Sequence, residues 1–349
     1  MLHVRHYPFE LDFEYPFTTH KGTKTHQPTL VVSLGMGNMT GFGEAPAISY
    51  YDVTVEQMIE ALLAKKGVIE RYALIDMQRF WHFLHHLLPG QNFLIAALDI
   101  AGWDLFAQMR RKPLFELLGL KWENIPLTDY TLGMCSMDEM LAKLKAKPWP
   151  IYKIKVGTPD DIDILRALRA HTDSSFRVDA NEGWSFEDAK KILPELEKLN
   201  VKLVEQPLKR EETEAMKELK HLSPLPLFAD ESCRTEDEVL KCAEGFDGIN
   251  IKLTKCGGIT PALRMIAEAR KLGLKVMMGS MNENTIGSAA IANLLPLLDE
   301  VDADGPLLLK EDIAEGLTYN NGLVSLSGRN GLGIRYWGEK REKQPLSNF

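Results

Sequence analysis

Cysteine is scarce, with four in 349 residues: Cys135, Cys233, Cys242 and Cys256. None form a C-x-x-C pair, which argues against a zinc cluster. So few thiols in so long a chain suit a reducing compartment, and the expected location is cytoplasmic. Long apolar runs are also missing. The most apolar stretch, residues 93–106, is interrupted by Asp99 and Asp104. It falls short of the ~20 residues that span a bilayer, so it reads as a buried helix and no membrane partner is expected. The first residues, Met1-Leu2-His3-Val4-Arg5-His6, lack the apolar core of a secretory signal. Positive charge is not in excess: 41 Lys and Arg face 49 Asp and Glu, for a net charge of −8. With a pI of about 5.7 there is no footprint for nucleic acid. No low-complexity segment occurs, and only the polar tail 338–349 is expected to fray. The remainder is ordinary globular composition, 45% hydrophobic and 26% charged, long enough for more than one domain.

Residues 1–50 read as strands and turns. Leu30-Val31-Val32-Ser33-Leu34 runs into Gly35, Gly37 and Asn38, then into Gly41-Phe42-Gly43-Glu44-Ala45, the texture of a hairpin-rich sheet. Residues 54–120 read as helical, ending at Leu117-Leu118-Gly119-Leu120, and 122–126 reads as a linker. Beyond it, short apolar runs alternate with amphipathic helical stretches. The runs fall at 127–133, 151–156, 176–179, 201–205, 226–230, 248–253, 274–279 and near Val301. Successive ends are about 22 to 26 residues apart, room for a strand, a helix and two short loops. Eight such units point to a parallel α/β barrel of the TIM type. The turn-rich stretch 316–335 is expected to return to the N-terminal sheet.

Five charged residues close these runs. Lys155 ends the second run, Asp179 the third, Glu205 the fourth and Asp230 the fifth, and Lys252 lies in the sixth just after Ile251. A barrel gathers the C-terminal ends of its strands at one mouth, where function resides. Lys155 and Lys252, four strands apart, then face each other about half a turn apart. The three acids form an arc between them. Three oxygen donors without His or Cys suit a hard cation, best Mg²⁺, one per subunit. Lys153 shares a face with Lys155, with Cα atoms about 6.6 Å apart. At an effective dielectric near 20 the two charges repel by roughly 2.5 kcal/mol, which pushes one lysine towards a neutral base if the metal cancels the acids.

These segments resemble the enolase superfamily in its muconate-lactonising-enzyme subgroup. The matching stretches are Lys153-Ile154-Lys155, Val178-Asp179-Ala180-Asn181-Glu182-Gly183-Trp184, Val204-Glu205-Gln206-Pro207, Ala229-Asp230-Glu231-Ser232 and Asn250-Ile251-Lys252-Leu253 running into Gly257-Gly258. Gly43-Glu44-Ala45-Pro46 and Ala97-Leu98-Asp99-Ile100-Ala101 resemble the family's capping domain. The resemblance implies a (β/α)7β barrel over 125–311 and an α+β cap over 1–124, with 312–349 returning to the cap. It also implies Mg²⁺ on Asp179, Glu205 and Asp230 and an acid/base pair of Lys155 and Lys252. Lys153 joins that catalytic set.

Asp302-Ala303-Asp304-Gly305-Pro306 resembles the Asp-x-Asp signature of dipeptide epimerases, where the pair binds the substrate's ammonium. Strand eight lies opposite strand four, so a zwitterion would set its carboxylate at the metal and its ammonium across the mouth. A dipeptide separates those charges far enough; a free amino acid does not. Thr131, Ser280 and Met281 are further expected contacts. Residues 18–26 read as a cap loop with two lysines, Lys21 and Lys24, and no acid, which suits an acidic side chain on the substrate. Related epimerases for Ala-Glu often carry an arginine where this chain has Gly22. Tyr50 and Tyr51 are expected on a second closing loop. The expected reaction is epimerisation of a dipeptide at its C-terminal residue, with murein-derived L-Ala-D/L-Glu favoured. Other dipeptides, N-acylamino-acid racemisation and o-succinylbenzoate synthesis are the alternatives. Self-association is left open.

Overall fold

In the computed structural model, residues 1–19 and 21–338 are described. His20 and residues 339–349 lie outside them, and with them most of the tail expected to fray.

The N-terminal sheet is an antiparallel meander of β1 (His3–Thr19), β2 (Gly22–Met36) and β3 (Met39–Pro46). Four helices follow: α1 (Val55–Ile69), α2 (Met77–Leu87), α3 (Asn92–Met109) and the short α4 (Leu114–Leu117). Helix α3 is the apolar stretch noted in the sequence. It is buried on nearly every side, as a helix apolar all round must be. One side meets β3 so closely that a Cβ on Gly43 would sit 1.9 Å from the carbonyl oxygen of Ala97. The two acids that interrupt it are buried staples. Asp99 accepts hydrogen bonds from the backbone N–H and hydroxyl of Thr260 at 2.9 and 2.7 Å, and Asp104 accepts from Phe42 N and Leu332 N. Among the described residues, no helix is long and apolar enough to cross a membrane.

The eight strands expected in the second part form one parallel sheet in sequence order: β4 (Tyr130–Leu132), β5 (Ile151–Lys155), β6 (Ser175–Asp179), β7 (Val201–Glu205), β8 (Leu227–Ala229), β9 (Gly248–Ile251), β10 (Lys275–Gly279) and β11 (Glu300–Asp302). A bridge between Thr128 and Val301 joins the first strand to the last and closes the barrel. The helices between them are α5 (Met137–Ala146), α6 (Asp161–Arg169), α7 (Phe186–Lys198), α8 (Thr213–Leu222), α9 (Glu236–Gly245), α10 (Leu253–Cys256) with α11 (Ile259–Lys271), and α12 (Thr285–Ala292). After β11 only one turn of helix follows, α13 (Gly305–Leu308), so the barrel is (β/α)7β. Leu203, Phe228 and Met277 fill one side of its interior. The buried cations Lys153 and Arg177 cross the other.

The chain then turns back. Leu309 bridges to Phe13 on β1, β12 (Ala314–Glu315) pairs with β15 (Arg335–Tyr336), and β13 (Leu317–Asn320) forms a hairpin with β14 (Leu323–Leu326). Tyr336 packs on Tyr7 and Phe42 of the N-terminal sheet.

Candidate active site

Strand register alone brings the charged residues together. Lys155 is paired with Asp179, and Asp179 with Glu205, across β5, β6 and β7. Asp230 follows β8 by one residue and Lys252 follows β9 by one. Carboxylate oxygens of Asp179, Glu205 and Asp230 lie within 4.8 Å of one another, all buried. Lys155 Nζ donates to Asp179 Oδ2 at 2.5 Å on one flank, and Lys252 Nζ to Asp230 Oδ2 at 2.8 Å on the other. The donor set is three buried carboxylates with no nitrogen or sulfur, which fits Mg²⁺.

Lys153 lies deeper. Its ammonium is 2.8 Å from Glu205, 2.8 Å from Asp302 and 3.1 Å from Asp179. The sequence suggested that repulsion from Lys155 drives one of this pair towards neutrality. With the acids' charge not cancelled by a metal, burial would lower the Lys153 pKa, but Asp302, Glu205 and Asp179 outweigh burial and raise it well above the usual lysine range. Lys252 follows the same pattern, with Asp230 and Glu205 overcoming burial. The acids answer in kind. Burial would raise Asp179, but Lys155 and Lys153 hold it well below its usual range. Asp230 is held down against burial by Lys252 and Lys255. Glu205 has less help: burial and then Asp179 push it up to about 7.

Across the mouth, Asp302 and Asp304 are both buried and both line the cavity. Asp302 ends β11, whereas Asp304 has left the strand and sits at the start of α13. Asp302 Oδ2 accepts from Lys153, and its Oδ1 has no hydrogen-bond donor among the described residues. Asp304 Oδ2 accepts the backbone N–H of Thr131 at 2.6 Å.

The cavity between cap and barrel is about 230 Å³, and Thr131, Ser280 and Met281 all line it. The described residues of the segment 18–26 do not form a separate loop. They belong to the tip of the β1–β2 hairpin, with Thr19 paired to Gly22. The segment itself holds no acid, but the fold supplies two: Lys21 Nζ lies 2.7 Å from Glu231 and 3.3 Å from Glu182, and 3.6 Å from the centre of the Tyr50 ring. Its charge is therefore engaged within the protein. Lys24 is different: among the described residues it bonds only Gln27 Oε1, at 3.3 Å, and burial lowers its pKa. Tyr50 and Tyr51 lie in the short 3-10 helix Ser49–Tyr51 at the cavity rim.

Four supporting residues had no role in the sequence reading. Asn250 donates to Glu205 at 2.7 Å, Lys255 to Asp230 at 2.5 Å, and Asn181 N to Asp179 at 3.0 Å, while Glu231 receives Lys21. Asn250 stands two residues before Lys252 on extended chain, a spacing that marks them as neighbours on the same face, whereas Asn181 lies past the end of β6 with φ 46° and reaches Asp179 through the turn. Nothing local marks Lys255.

A barrel whose strand ends carry three acids between two lysines, roofed by an α+β cap, is the architecture of enolase-like enzymes. Residues 136–340 match the Enolase C-terminal domain-like family, and residues 3–119 match the Mandelate racemase / muconate lactonizing enzyme N-terminal domain. The chain belongs to this mandelate racemase / muconate lactonizing enzyme family. It is 46% identical over 326 residues to the L-Ala-D/L-amino acid epimerase of Flavobacterium johnsoniae, covering 93% of this chain and 97% of that one. It is 32% identical over 332 residues to the L-Ala-D/L-Glu epimerase of Bacteroides thetaiotaomicron, covering 94% and 86%. The substrate-liganded L-Ala-D/L-Glu epimerase from Bacillus subtilis superposes with a TM-score of 0.90 at 30% identity, over 95% of this chain and 98% of that one. The dipeptide epimerase from Cytophaga hutchinsonii, complexed with Mg and D-Ala-L-Val, does so with a TM-score of 0.90 at 28% identity, over 95% of each chain.

Proposed function

We propose that the protein epimerises a dipeptide at the α-carbon of its C-terminal residue, using Lys155 and Lys252 as opposed bases. One observation carries this: two lysines, Lys252 buried and Lys155 partly so, flank a single carboxylate cluster, Lys155 bonded to Asp179 and Lys252 to Asp230. In this reading Asp179, Glu205 and Asp230 hold Mg²⁺. When bound there, the ion stabilises negative charge on the substrate's carboxylate as the α-proton departs. One lysine removes the α-proton, and the lysine opposite returns a proton to the other face. Lys153 stays protonated and braces Asp179 and Glu205. Asp302 and Asp304 receive the ammonium, and the unpartnered Asp302 Oδ1 favours a free amine over an N-acyl group.

Lys24 supports L-Ala-D/L-Glu as substrate. Among the described residues lining the cavity it is the cation with no acid partner, whereas Lys21, Lys155 and Lys252 are all paired. Phe17, Ile48 and Met281 line the same cavity and also suit an apolar side chain. Breadth is therefore part of the proposal. Division into a cap (1–124 with 312–349) and a barrel (125–311) and a cytoplasmic location belong to the same reading. Self-association is not required, since every residue named comes from one chain. Incubation with L-Ala-D-Glu and Mg²⁺ in D₂O tests it: NMR should show deuterium at the Glu α-carbon together with inversion. No exchange with this or any dipeptide of a varied panel overturns the proposal.

A further inference from the structure

Beside the ammonium subsite lies a third acid that the proposed reaction does not use. Asp129, the residue before β4, is buried, and one of its carboxylate oxygens lies within 4.8 Å of oxygens from Asp302 and Asp304. Two cations serve this trio, and both are divided. Lys153 bonds Asp302 but also pairs with Asp179 and Glu205. Arg177 donates to Asp129 Oδ2 at 2.7 Å but also to Glu300 and to the carbonyl of Val301. Two buried oxygens, Asp129 Oδ1 and Asp302 Oδ1, have no donor among the described residues. The other groups nearby do not fill that gap. Lys147, Tyr130 and Tyr319 act on Asp304 only through space, Lys155 and Lys252 likewise on Asp302, and the Tyr319 hydroxyl donates to the carbonyl of Ala303. Three like charges so close in a water-poor interior cannot all persist against two divided cations.

We propose that Asp129 keeps the ammonium subsite loaded with one proton, shared among the three carboxyls, which an arriving ammonium displaces to solvent. The inference rests on the dipeptide reading above and deepens it. The exchange balances: one carboxyl O–H bond breaks, its proton passes to buffer, and the ammonium N–H groups take over as donors. Asp129 is thus a specificity-determining residue. An N-acyl substrate brings one amide N–H and no charge, so it cannot hold a third carboxylate ionised. The surroundings agree. Burial and then Asp302 push Asp129 up to about 8, and burial with Asp302 raises Asp304 well above the carboxylate range. Asp302 is held down against burial by Lys153, so it carries the smallest share of the proton. The proton belongs to the trio rather than to one residue.

Calorimetric titration of the Mg²⁺-loaded protein at pH 7 reads that proton directly. The ligand is an epimer-equilibrated dipeptide, so turnover adds no heat, and the titration is repeated in buffers of different ionisation enthalpy. The wild type should release one proton per dipeptide bound, and none with the N-acetylated dipeptide. D129N, which mimics the loaded form permanently, should release none. It should also lose roughly tenfold or more of the preference for the free over the acetylated dipeptide. If D129N does not fold, the comparison of the two ligands on the wild type still decides. Binding heats identical in every buffer, with epimerisation intact, overturn the inference and leave the dipeptide reading standing. Absence of both dipeptide binding and turnover overturns the two together.

Discussion

Lys155 and Lys252 hold the same kind of bond to different acids, so their variants should fail differently. Lys155→Ala and Lys252→Ala should each lower epimerisation by ~10²–10⁴-fold, the scale of a lost general base. Each should still exchange the α-proton of the one epimer whose face the surviving lysine meets, read by mass spectrometry in D₂O. Exchange from both epimers in either variant would contradict a one-lysine-per-face arrangement. Lys24 separates substrates. Lys24→Met should raise KM for L-Ala-L-Glu roughly tenfold, the loss of one charge-assisted contact, and leave KM for an apolar dipeptide such as L-Ala-L-Leu within a factor of two or so. An equal change for both dipeptides would remove Lys24 from recognition of the acidic side chain.

Packing of β3 on α3 holds the cap's sheet to its central helix. The contact is backbone to backbone: a Cβ on Gly43 would meet Ala97 O at 1.9 Å, and one on Gly41 would meet Ala101 O at 2.2 Å. Backbone cannot rotate away as a side chain can, so Gly43→Ala must push the sheet off the helix. It should cost about 2 kcal/mol or more, seen as a lowered midpoint in denaturant unfolding. Asp99 ties the same helix to the start of α11. Removing it leaves the Thr260 N–H and hydroxyl without their acceptor, at a cost of about 1–3 kcal/mol for Asp99→Ala. Unchanged stability in both variants would show that neither contact holds the fold together.

Across the whole molecule, carboxylates from three strands converge on one point, and their charge must be balanced. Without metal, burial and Asp179 bring Glu205 to about 7, so the metal-free site takes up a proton as pH falls through neutrality. As a proposed Mg²⁺ ligand, Glu205 must be ionised to take the metal. The sign follows: apparent Mg²⁺ affinity should be flat well above pH 7 and should weaken below it, by up to about tenfold per pH unit. Titration of the protein with Mg²⁺ at pH 5.5, 7 and 8.5 checks this. Chelation should abolish epimerisation, and added Mg²⁺ should restore it.

Much of this was legible in the chain because a parallel barrel repeats at a near-constant interval. Its strand ends, and therefore the order Lys155, Asp179, Glu205, Asp230, Lys252, can be read without coordinates. Asp302 falls on the eighth strand by the same interval and Asp304 just beyond it, and the resemblance to an Asp-x-Asp signature singled out the pair. The interruptions in the apolar helix were visible too, but not their purpose, since the partners of Asp99 and Asp104 lie at Thr260 and Leu332. Sequence alone determined which chemistry the protein carries and in what order around the mouth, because local spacing dictates strand register. Only the tertiary structure decided which charges are free. Lys21 is engaged by Glu231, 210 residues away, Lys153 by acids from three other strands, and Asp129 lies beside Asp302 and Asp304 at the end of β11 because the barrel closes between its first and last strands. A charge is neutralised by what lies within a few ångströms of it, and in a closed barrel those neighbours come from the far end of the chain.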